Sequence, residues 1–233
     1  MPNRLLAVDT ATEICGVALL INGKVVTELI LDRNVTHTQT VVAAIDAVMG
    51  INHMKIADVD AYAVTQGPGS FTGLRIGIST LKGLAHATRK PLVGISSLAV
   101  LAHQAPSDTD TVCPLMDARR NEVYWALYRR EGAVLSVAMD ERAGPAAEVA
   151  DAVDKACYFI GNAVPHYRAS LSERLVAPAT WANDELNALR PAVLARLAWR
   201  RLREAPLDDP MRFSPVYLRK SDAELHQKGS AKG

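Results

Sequence analysis

The spacing of the histidines and serines decides first whether this chain could perform metal or nucleophilic chemistry. A helical metal site needs two histidines one turn apart, so that both imidazoles face one ion. None of the six histidines lies four residues from another, and no His-Glu-x-x-His pattern occurs. A Gly-x-Ser-x-Gly elbow is missing as well, so Ser70 is interpreted as a helix cap and not as a nucleophile. The sequence therefore predicts no metal site and no catalytic residue.

A glycine-rich string, Gln66 to Gly77, follows a predicted strand at 61–65 and opens a predicted helix. Such a junction can bind an anion, because free N–H groups and the helix dipole point at it. Neither the Walker nor the dinucleotide spacing is present, however. Gly69, Gly73 and Gly77 are four apart and share one helix face, where another backbone could approach closely. Anion binding, packing on a partner and packing within the chain remain alternatives.

Composition limits the possible partners and compartments. The 26 basic and 25 acidic side chains give a net charge of +1, so no global attraction to nucleic acid is expected. An RNA contact would therefore need a local basic patch. The last predicted helix carries Arg196, Arg200 and Arg203 on one face, with Arg201 beside them. These arginines either form such a patch or lie on a solvated face. Three widely spaced cysteines without a CxxC motif, and no signal peptide or membrane-length apolar run, predict a cytoplasmic protein.

The order of predicted elements suggests two lobes. Three strands, with a type I′ turn signal at Asn22-Gly23, precede a helix, a strand, the glycine-rich helix and another strand. A polar, turn-rich stretch at 105–111 follows, after which the strand pattern restarts. We expect an α/β protein of two lobes, each a mixed sheet with flanking helices, the second truncated. The predicted domains are residues 1–104, residues 105–220 and a polar tail at 221–233.

Several strings resemble a known family. They are Leu6 to Thr10, His37 at the start of the first helix, Gly67 to Gly77, Ser96 to Leu98, Asp117 to Tyr124 and Pro215 to Arg219. Together they resemble the TsaB family of bacterial tRNA threonylcarbamoyladenosine proteins, a glycoprotease-like branch of the actin/Hsp70-like superfamily. The resemblance covers about residues 4–220 and implies two duplicated ribonuclease-H-like lobes. The glycine string is its most specific part.

In that superfamily, the aspartate that ends the first strand lies near the nucleotide-bound metal. The resemblance therefore places Asp9 and Thr10 in a nucleotide cleft. The turn after Asp9 has no glycine that would let amides wrap a phosphate, and the matching turn after Asp117 carries two arginines. Only Gly161 remains on the adenosine side. We interpret these four residues as a vestigial cleft that binds no cofactor, with a turn cap and a metal contact as alternatives for Asp9.

The resemblance also implies a partner. It makes this chain a non-catalytic scaffold that pairs with a catalytic paralogue, TsaD, which transfers a threonylcarbamoyl group to N6 of adenosine 37 in tRNAs that read A-starting codons. A small ATPase, TsaE, joins the pair. The alternative is that the chain is a nucleotide-dependent threonylcarbamoyl transferase in its own right. The missing histidine pair and glycine turns favour the scaffold.

The predicted partner surface lies on two helices, at 37–50 and 70–88. An apolar seam beside the glycine stripe suggests that one face of the second helix meets the sheet and another meets the partner. With the partner absent, the same surface should join two copies of the chain. The predicted interface residues are His37, Val41, Ile45, Gly69, Phe71, Gly73, Leu74, Arg75 and Gly77. Contact with tRNA is expected to be indirect or through a local patch, and no membrane contact is expected.

Overall fold

The structure is a computed structural model that describes residues 2–32, 37–204 and 213–219, apart from the side chains of residues 37–39. The predicted tail at 221–233 and the side chain of His37 therefore lie outside the described residues. Within the described part, none of the helices combines the length and apolarity needed to span a bilayer.

The first lobe is a five-stranded mixed sheet of order β3-β2-β1-β4-β5. Its elements are β1 (Arg4–Asp9), β2 (Ile14–Ile21), β3 (Lys24–Asp32), α1 (His37–Ile51), β4 (Ala61–Gly67), α2 (Phe71–Thr88) and β5 (Leu92–Ser96), with a 3-10 turn at Ile56–Asp58. The first three strands form an antiparallel meander, while β4 and β5 run parallel to β1. The Asn22-Gly23 turn has φ angles of 52° and 80°, which confirms the predicted hairpin.

The second lobe repeats this arrangement. Its elements are β6 (Thr111–Asp117), β7 (Glu122–Glu131), β8 (Val134–Pro145), α4 (Ala146–Ala152), β9 (Cys157–Ile160), α5 (Val164–Arg174) and β10 (Ala179–Trp181), with a 3-10 turn at Asp184–Leu186. The strand order β8-β7-β6-β9-β10 matches that of the first lobe strand for strand. The predicted fold class is confirmed. The second copy keeps all five strands, and what is shortened is β9, β10 and the two helices.

Two further helices join the lobes. Helix α3 (Ser97–Ala102) follows β5 directly, is capped by the Ser96 side chain, and packs against β6 and β7 of the second lobe. Helix α6 (Pro191–Glu204) returns to the first lobe, where it crosses all five strands. It makes no comparable contact with α1 or α2, which contact each other, so α6 lies on the opposite face of that sheet. The predicted second domain at 105–220 therefore needs correction, since its last helix belongs to the first lobe.

Residues 213–219, here called the C-terminal strap, lie across the ends of β4 and β5. The Val216 N–H donates to the Gln66 carbonyl at 2.7 Å, and Lys82 donates to the Phe213 carbonyl at 3.0 Å. Arg219 then reaches the second lobe, where its Nη1 donates to the Ala118 carbonyl at 2.9 Å. The strap thus holds both lobes at their shared edge.

Candidate functional site

A cleft of about 670 Å³ opens between the lobes. Its walls are the turn after β1, the start of α2, the turn after β6 and the strap. Residues from each wall are Thr12, Ser70, Asp117, Arg119, Tyr217 and Arg219. The superfamily resemblance places a nucleotide in this cleft. The positions of the four predicted cleft residues, Asp9, Thr10, Asp117 and Gly161, can therefore be compared with the cleft walls.

Asp9 is buried behind this cleft and does not line it. Its side chain is 1% exposed, and its Oδ1 accepts hydrogen bonds from Thr65 Oγ1 at 2.6 Å and from the Ala11 N–H at 3.1 Å. Burial raises its pKa to about 6, against which the two hydrogen bonds act. Oδ2 has no hydrogen-bond partner among the described residues. This geometry is that of a turn cap, the first of the two alternatives for Asp9.

Thr10 is also buried, and it fixes α2 to the turn after β1. Its Oγ1 donates to the Gly73 carbonyl at 2.8 Å. A Cβ atom on Gly73 would collide with the Thr10 carbonyl oxygen, and one on Gly77 would collide with Thr10 Oγ1. A Cβ on Gly69 would similarly meet the Ala11 carbonyl, which accepts from the Ser70 N–H at 2.7 Å. The glycine stripe therefore packs within the chain.

The second-lobe turn places a cation at the cleft. Asp117 is exposed to the cleft; its backbone N–H donates to Asn162 Oδ1 at 3.1 Å, and its Oδ1 accepts from the Arg119 N–H at 2.8 Å. Arg119, Arg120 and Asn121 all have left-handed φ angles between 55° and 61°. Residues other than glycine rarely adopt this backbone conformation. Because three such residues follow one another, the turn has no glycine whose amide could help to surround a phosphate. The turn instead presents the Arg119 side chain to the cleft.

Gly161 serves packing and does not line the cleft. Its φ is +126°, its N–H donates to Asn187 Oδ1 at 2.9 Å, and a Cβ atom there would collide with the Leu115 carbonyl. Of the four predicted cleft residues, the structure thus places only Asp117 in the cleft wall. Among the described residues, no group of three or more histidine, cysteine, aspartate or glutamate side chains is placed to hold a metal ion.

The predicted partner surface is also changed by the structure. Val41, Ile45 and Leu74 are at most 5% exposed and belong to the core of the first lobe. They are core residues because their spacing puts them on the inner faces of α1 and α2, against the sheet. Gly73 and Gly77 are buried against Thr10, and the half-buried Gly69 packs on Ala11 at the cleft wall, so six of the nine predicted interface residues are corrected to core or cleft positions. His37 cannot be placed.

Phe71 and Arg75 do reach the surface, where the strap meets them. The Arg75 guanidinium carbon lies 3.7 Å from the centre of the Phe71 ring, and its Nε donates to Tyr217 Oη at 3.1 Å. The Phe71 and Tyr217 rings are 4.9 Å apart. A guanidinium that stacks on Phe71 and is hydrogen-bonded to Tyr217 loses little further freedom on binding, so this cluster is a preordered edge of the surface.

The exposed side of α1 and α2 is here called the outer face, and apart from Arg75 it consists of residues that were not predicted from the sequence. On α1 it is largely small or apolar, with Val42 at 58% and Ile51 at 66% exposure. On α2 it carries Ser79, Gly83 and Ala87 at four-residue spacing. No atom lies within 4 Å of a Cβ built on Gly50 or Gly83. The outer face comprises Val42, Ala43, Asp46, Ala47, Gly50 and Ile51 of α1 and Arg75, Ser79, Gly83 and Ala87 of α2.

Comparison with known proteins supplies a family. A family model described as TsaD, tRNA N6-adenosine threonylcarbamoyltransferase, matches residues 32–227. The tRNA threonylcarbamoyladenosine biosynthesis protein TsaB of Bacillus subtilis is 28% identical over 223 residues, covering 94% of this chain and 96% of that protein. The Escherichia coli protein of the same name is 40% identical over 130 residues, and that match spans 55% of this chain and only 56% of its relative.

A solved structure extends the similarity to both lobes. The structure of YeaZ from Pseudomonas aeruginosa superposes with a TM-score of 0.79 at 30% sequence identity, over 93% of this chain and all of that one. An uncharacterized protein of Mycobacterium tuberculosis is 35% identical over 212 residues, which cover 87% of this chain and 94% of that protein. The similarity thus includes both lobes, and the family-model match at residues 32–227 includes the outer face and the strap.

Proposed function

This chain belongs to the family of the TsaD model and, within it, to the TsaB proteins, and from that premise we propose that it is a non-catalytic subunit in tRNA threonylcarbamoyladenosine synthesis. In this proposal, the chain binds a TsaD-type transferase and helps to assemble it with a TsaE-type ATPase in the cytoplasm. The chain itself contributes a binding surface and no reacting group.

The cleft supports the non-catalytic part of this proposal. The carboxylate that the resemblance places near a nucleotide-bound metal, Asp9, is buried and hydrogen-bonded to Thr65 and Ala11, so it is not presented to a ligand. The second-lobe turn offers arginines in place of glycine amides. An enzyme of this fold would need both elements to hold a nucleotide phosphate. The alternative function, a nucleotide-dependent transferase, thus finds little support in the arrangement of these side chains.

The outer face carries the binding part of the proposal. Contiguous apolar residues on a surface mark protein interaction sites, and small residues four apart let a second helix approach the backbone. Ser79, Gly83 and Ala87 supply that spacing, while Val42 and Ile51 supply exposed apolar area. The hydrogen bond from Thr10 to Gly73 fixes α2 on the first lobe, so the outer face is already ordered before a partner binds. A helical partner, or a second copy of the chain, fits this face.

A binding experiment tests the proposal. Purified chain and the TsaD-type protein of the same organism are titrated by calorimetry, with Ala47→Arg and Gly83→Arg as outer-face variants. An unpaired buried charge costs about 1–3 kcal/mol, so affinity should fall about 5- to 150-fold. Ala169→Arg, at an exposed position of α5 in the second lobe, is the matched control and should bind like the wild type. Wild-type affinity in both outer-face variants would refute the assigned surface.

The same variants test self-association. We propose that the chain forms a homodimer through the outer face when the partner is absent, because an exposed apolar face is poorly solvated. Sedimentation equilibrium at high micromolar concentration should show a dimer for the wild type and a monomer for Ala47→Arg. A wild type that stays monomeric would remove this part of the proposal and leave the partner binding to be judged by calorimetry.

A further inference from the structure

Helix α6 carries a row of arginines that lies outside the outer face. Arg196, Arg200 and Arg203 are exposed and follow the i, i+4, i+7 spacing, so they lie along one side of the helix. Its other side, with Leu194, is buried on the first sheet. We call these three exposed arginines the α6 arginine row.

The fold does not explain this charge. Like charges one turn apart repel each other, and α6 contains no acidic residue before Glu204. The helix dipole favours cations in the last turn, which accounts for Arg203 but not for Arg196, two turns earlier. No ion pair or hydrogen bond of the row's side chains is found among the described residues. The charge of Arg196 helps to lower the pKa of the neighbouring Glu28, but that carboxylate is hydrogen-bonded to Arg190 and to the Ala192 N–H, and it forms its ion pair with Arg190.

The positive region continues beyond α6 toward the second lobe. Arg130 of β7 is held in place by hydrogen bonds to the Thr109 and Pro106 carbonyls, at 3.0 and 3.4 Å. Burial lowers the pKa of His103, the C-cap residue of α3, and the charges of Arg200 and Arg130 lower it further, against a hydrogen bond with the Ala99 carbonyl that raises it. Arg200 and Arg130 therefore lie close enough for their fields to overlap at one imidazole. The Arg130 N–H donates to the Asp110 carbonyl at 2.7 Å, so an acidic residue lies beside Arg130, and the positive region is centred on α6.

The position of α6 leaves the row accessible in a complex. Helix α6 lies on the face of the first sheet opposite α1 and α2, so a protein bound to the outer face does not cover it. A polyanion bound there and a protein bound to the outer face could occupy the chain together.

We propose that Arg196, Arg200 and Arg203 bind the phosphate backbone of RNA, and that this RNA is tRNA. The choice of tRNA rests on the proposed function, whereas the choice of a phosphate backbone rests on the row itself. Cationic side chains along one side of a helix can contact successive phosphates of a nucleic-acid backbone. Contacts to phosphates do not depend on base sequence, so we expect the row to bind RNA without sequence specificity. The row then adds affinity for tRNA to a complex whose chemistry is done by the partner subunit.

The test is a salt titration of tRNA binding. Fluorescence anisotropy of labelled tRNA is measured with the complex of this chain and the TsaD-type protein. The salt concentration is varied from about 50 to 200 mM, a range over which affinity that rests on phosphate contacts falls steeply. The variant Arg196→Gln/Arg200→Gln should bind less tightly at low salt. It should also lower the slope of log affinity against log salt by about 1.4–1.8, since two phosphate contacts are lost and each contributes about 0.7–0.9.

The control variant Lys155→Gln/Arg174→Gln removes two exposed charges from the second lobe and should leave the slope unchanged. Thermal melting of both variants should match the wild type, because all four side chains are exposed. A row variant with the affinity and slope of the control overturns the proposal. So does a row variant that keeps its tRNA affinity but no longer binds vesicles of anionic phospholipid, since the row would then serve a membrane surface. Should the chain prove dispensable for tRNA modification while the row variant still loses RNA affinity, the proposed function fails and the RNA contact stands.

Discussion

The hydroxyl of Thr10 donates a hydrogen bond to the carbonyl of Gly73 at 2.8 Å, while the carbonyl of Thr10 lies where a Cβ atom on Gly73 would have to be. The turn after β1 is thereby fixed to the first turn of α2. This contact explains why the glycine string needs glycine: the chain itself, and not a partner, fills the space beside the helix.

Gly73→Ala should destabilise the chain by about 1–3 kcal/mol, because the new methyl group meets a backbone carbonyl that cannot rotate away. Gly77→Ala should cost less, since it meets the Thr10 hydroxyl, which is a side-chain atom. Gly83→Ala is the control: nothing lies within 4 Å of its Cβ, so it should stabilise the helix by about 0.5–1 kcal/mol. Urea unfolding measures all three. Equal stability of Gly73→Ala and Gly83→Ala would contradict the packing described here.

Asp9 should make stability depend on pH. Its folded pKa of about 6 lies above its ordinary 3.8, so the folded chain favours the proton. The protonated carboxyl therefore adds to the free energy of unfolding below pH 3.8, and this contribution is lost as the pH rises to about 6. The pKa difference limits the loss to about 3 kcal/mol. Asp9→Asn removes this loss and keeps an oxygen for Thr65 and Ala11.

The unfolding free energy of Asp9→Asn minus that of the wild type should therefore rise between pH 4 and pH 7. Chemical denaturation at several pH values measures the difference. If the difference stays constant over this range, Asp9 does not titrate as its burial requires.

The strap should depend on Gly94. A Cβ atom there would collide with the Phe213 ring, so Gly94→Val should lift the strap from β5. The Val216 amide, which donates to the Gln66 carbonyl, should then exchange with solvent faster, as hydrogen exchange can measure. Gly50→Val, at an exposed position with open space around it, should leave that exchange rate unchanged. Unchanged protection of Val216 in Gly94→Val would show that the strap is not seated on Gly94.

Much of the fold could be predicted from local patterns. The Asn22-Gly23 turn, the strands of both meanders and the start of α2 at the Ser70 cap follow from turn chemistry, alternation and capping. Helices α3 and α5 and strand β10 were missed, and α3 is only six residues long. The reason is that α5 has few apolar residues, only Val164, Tyr167 and Leu171 being buried, while β10 is three residues long.

The site could be predicted less well, because burial depends on contacts between distant parts of the chain. Spacing placed Gly69, Gly73 and Gly77 on one stripe but could not show that Thr10 and Ala11, some sixty residues earlier, fill the space beside them. The same limit applies to α6, whose return to the first lobe has no signal in the linear order of elements. Ser79, Gly83 and Ala87 had the same four-residue spacing as the glycine stripe, and only exposure tells the two apart.

Reconstituted tRNA modification tests the central claim most directly. Purified TsaD-type and TsaE-type proteins are supplied with tRNA, threonylcarbamoyl donor and ATP, and the modified adenosine is quantified by mass spectrometry. We expect no modification without this chain, full modification with the wild type or with the cleft variant Asp117→Asn, and a strong loss with Ala47→Arg that parallels its loss of TsaD binding. Modification that survives Ala47→Arg but is abolished by Asp117→Asn, with TsaD binding intact, would contradict the account and place the chemistry in the cleft of this chain.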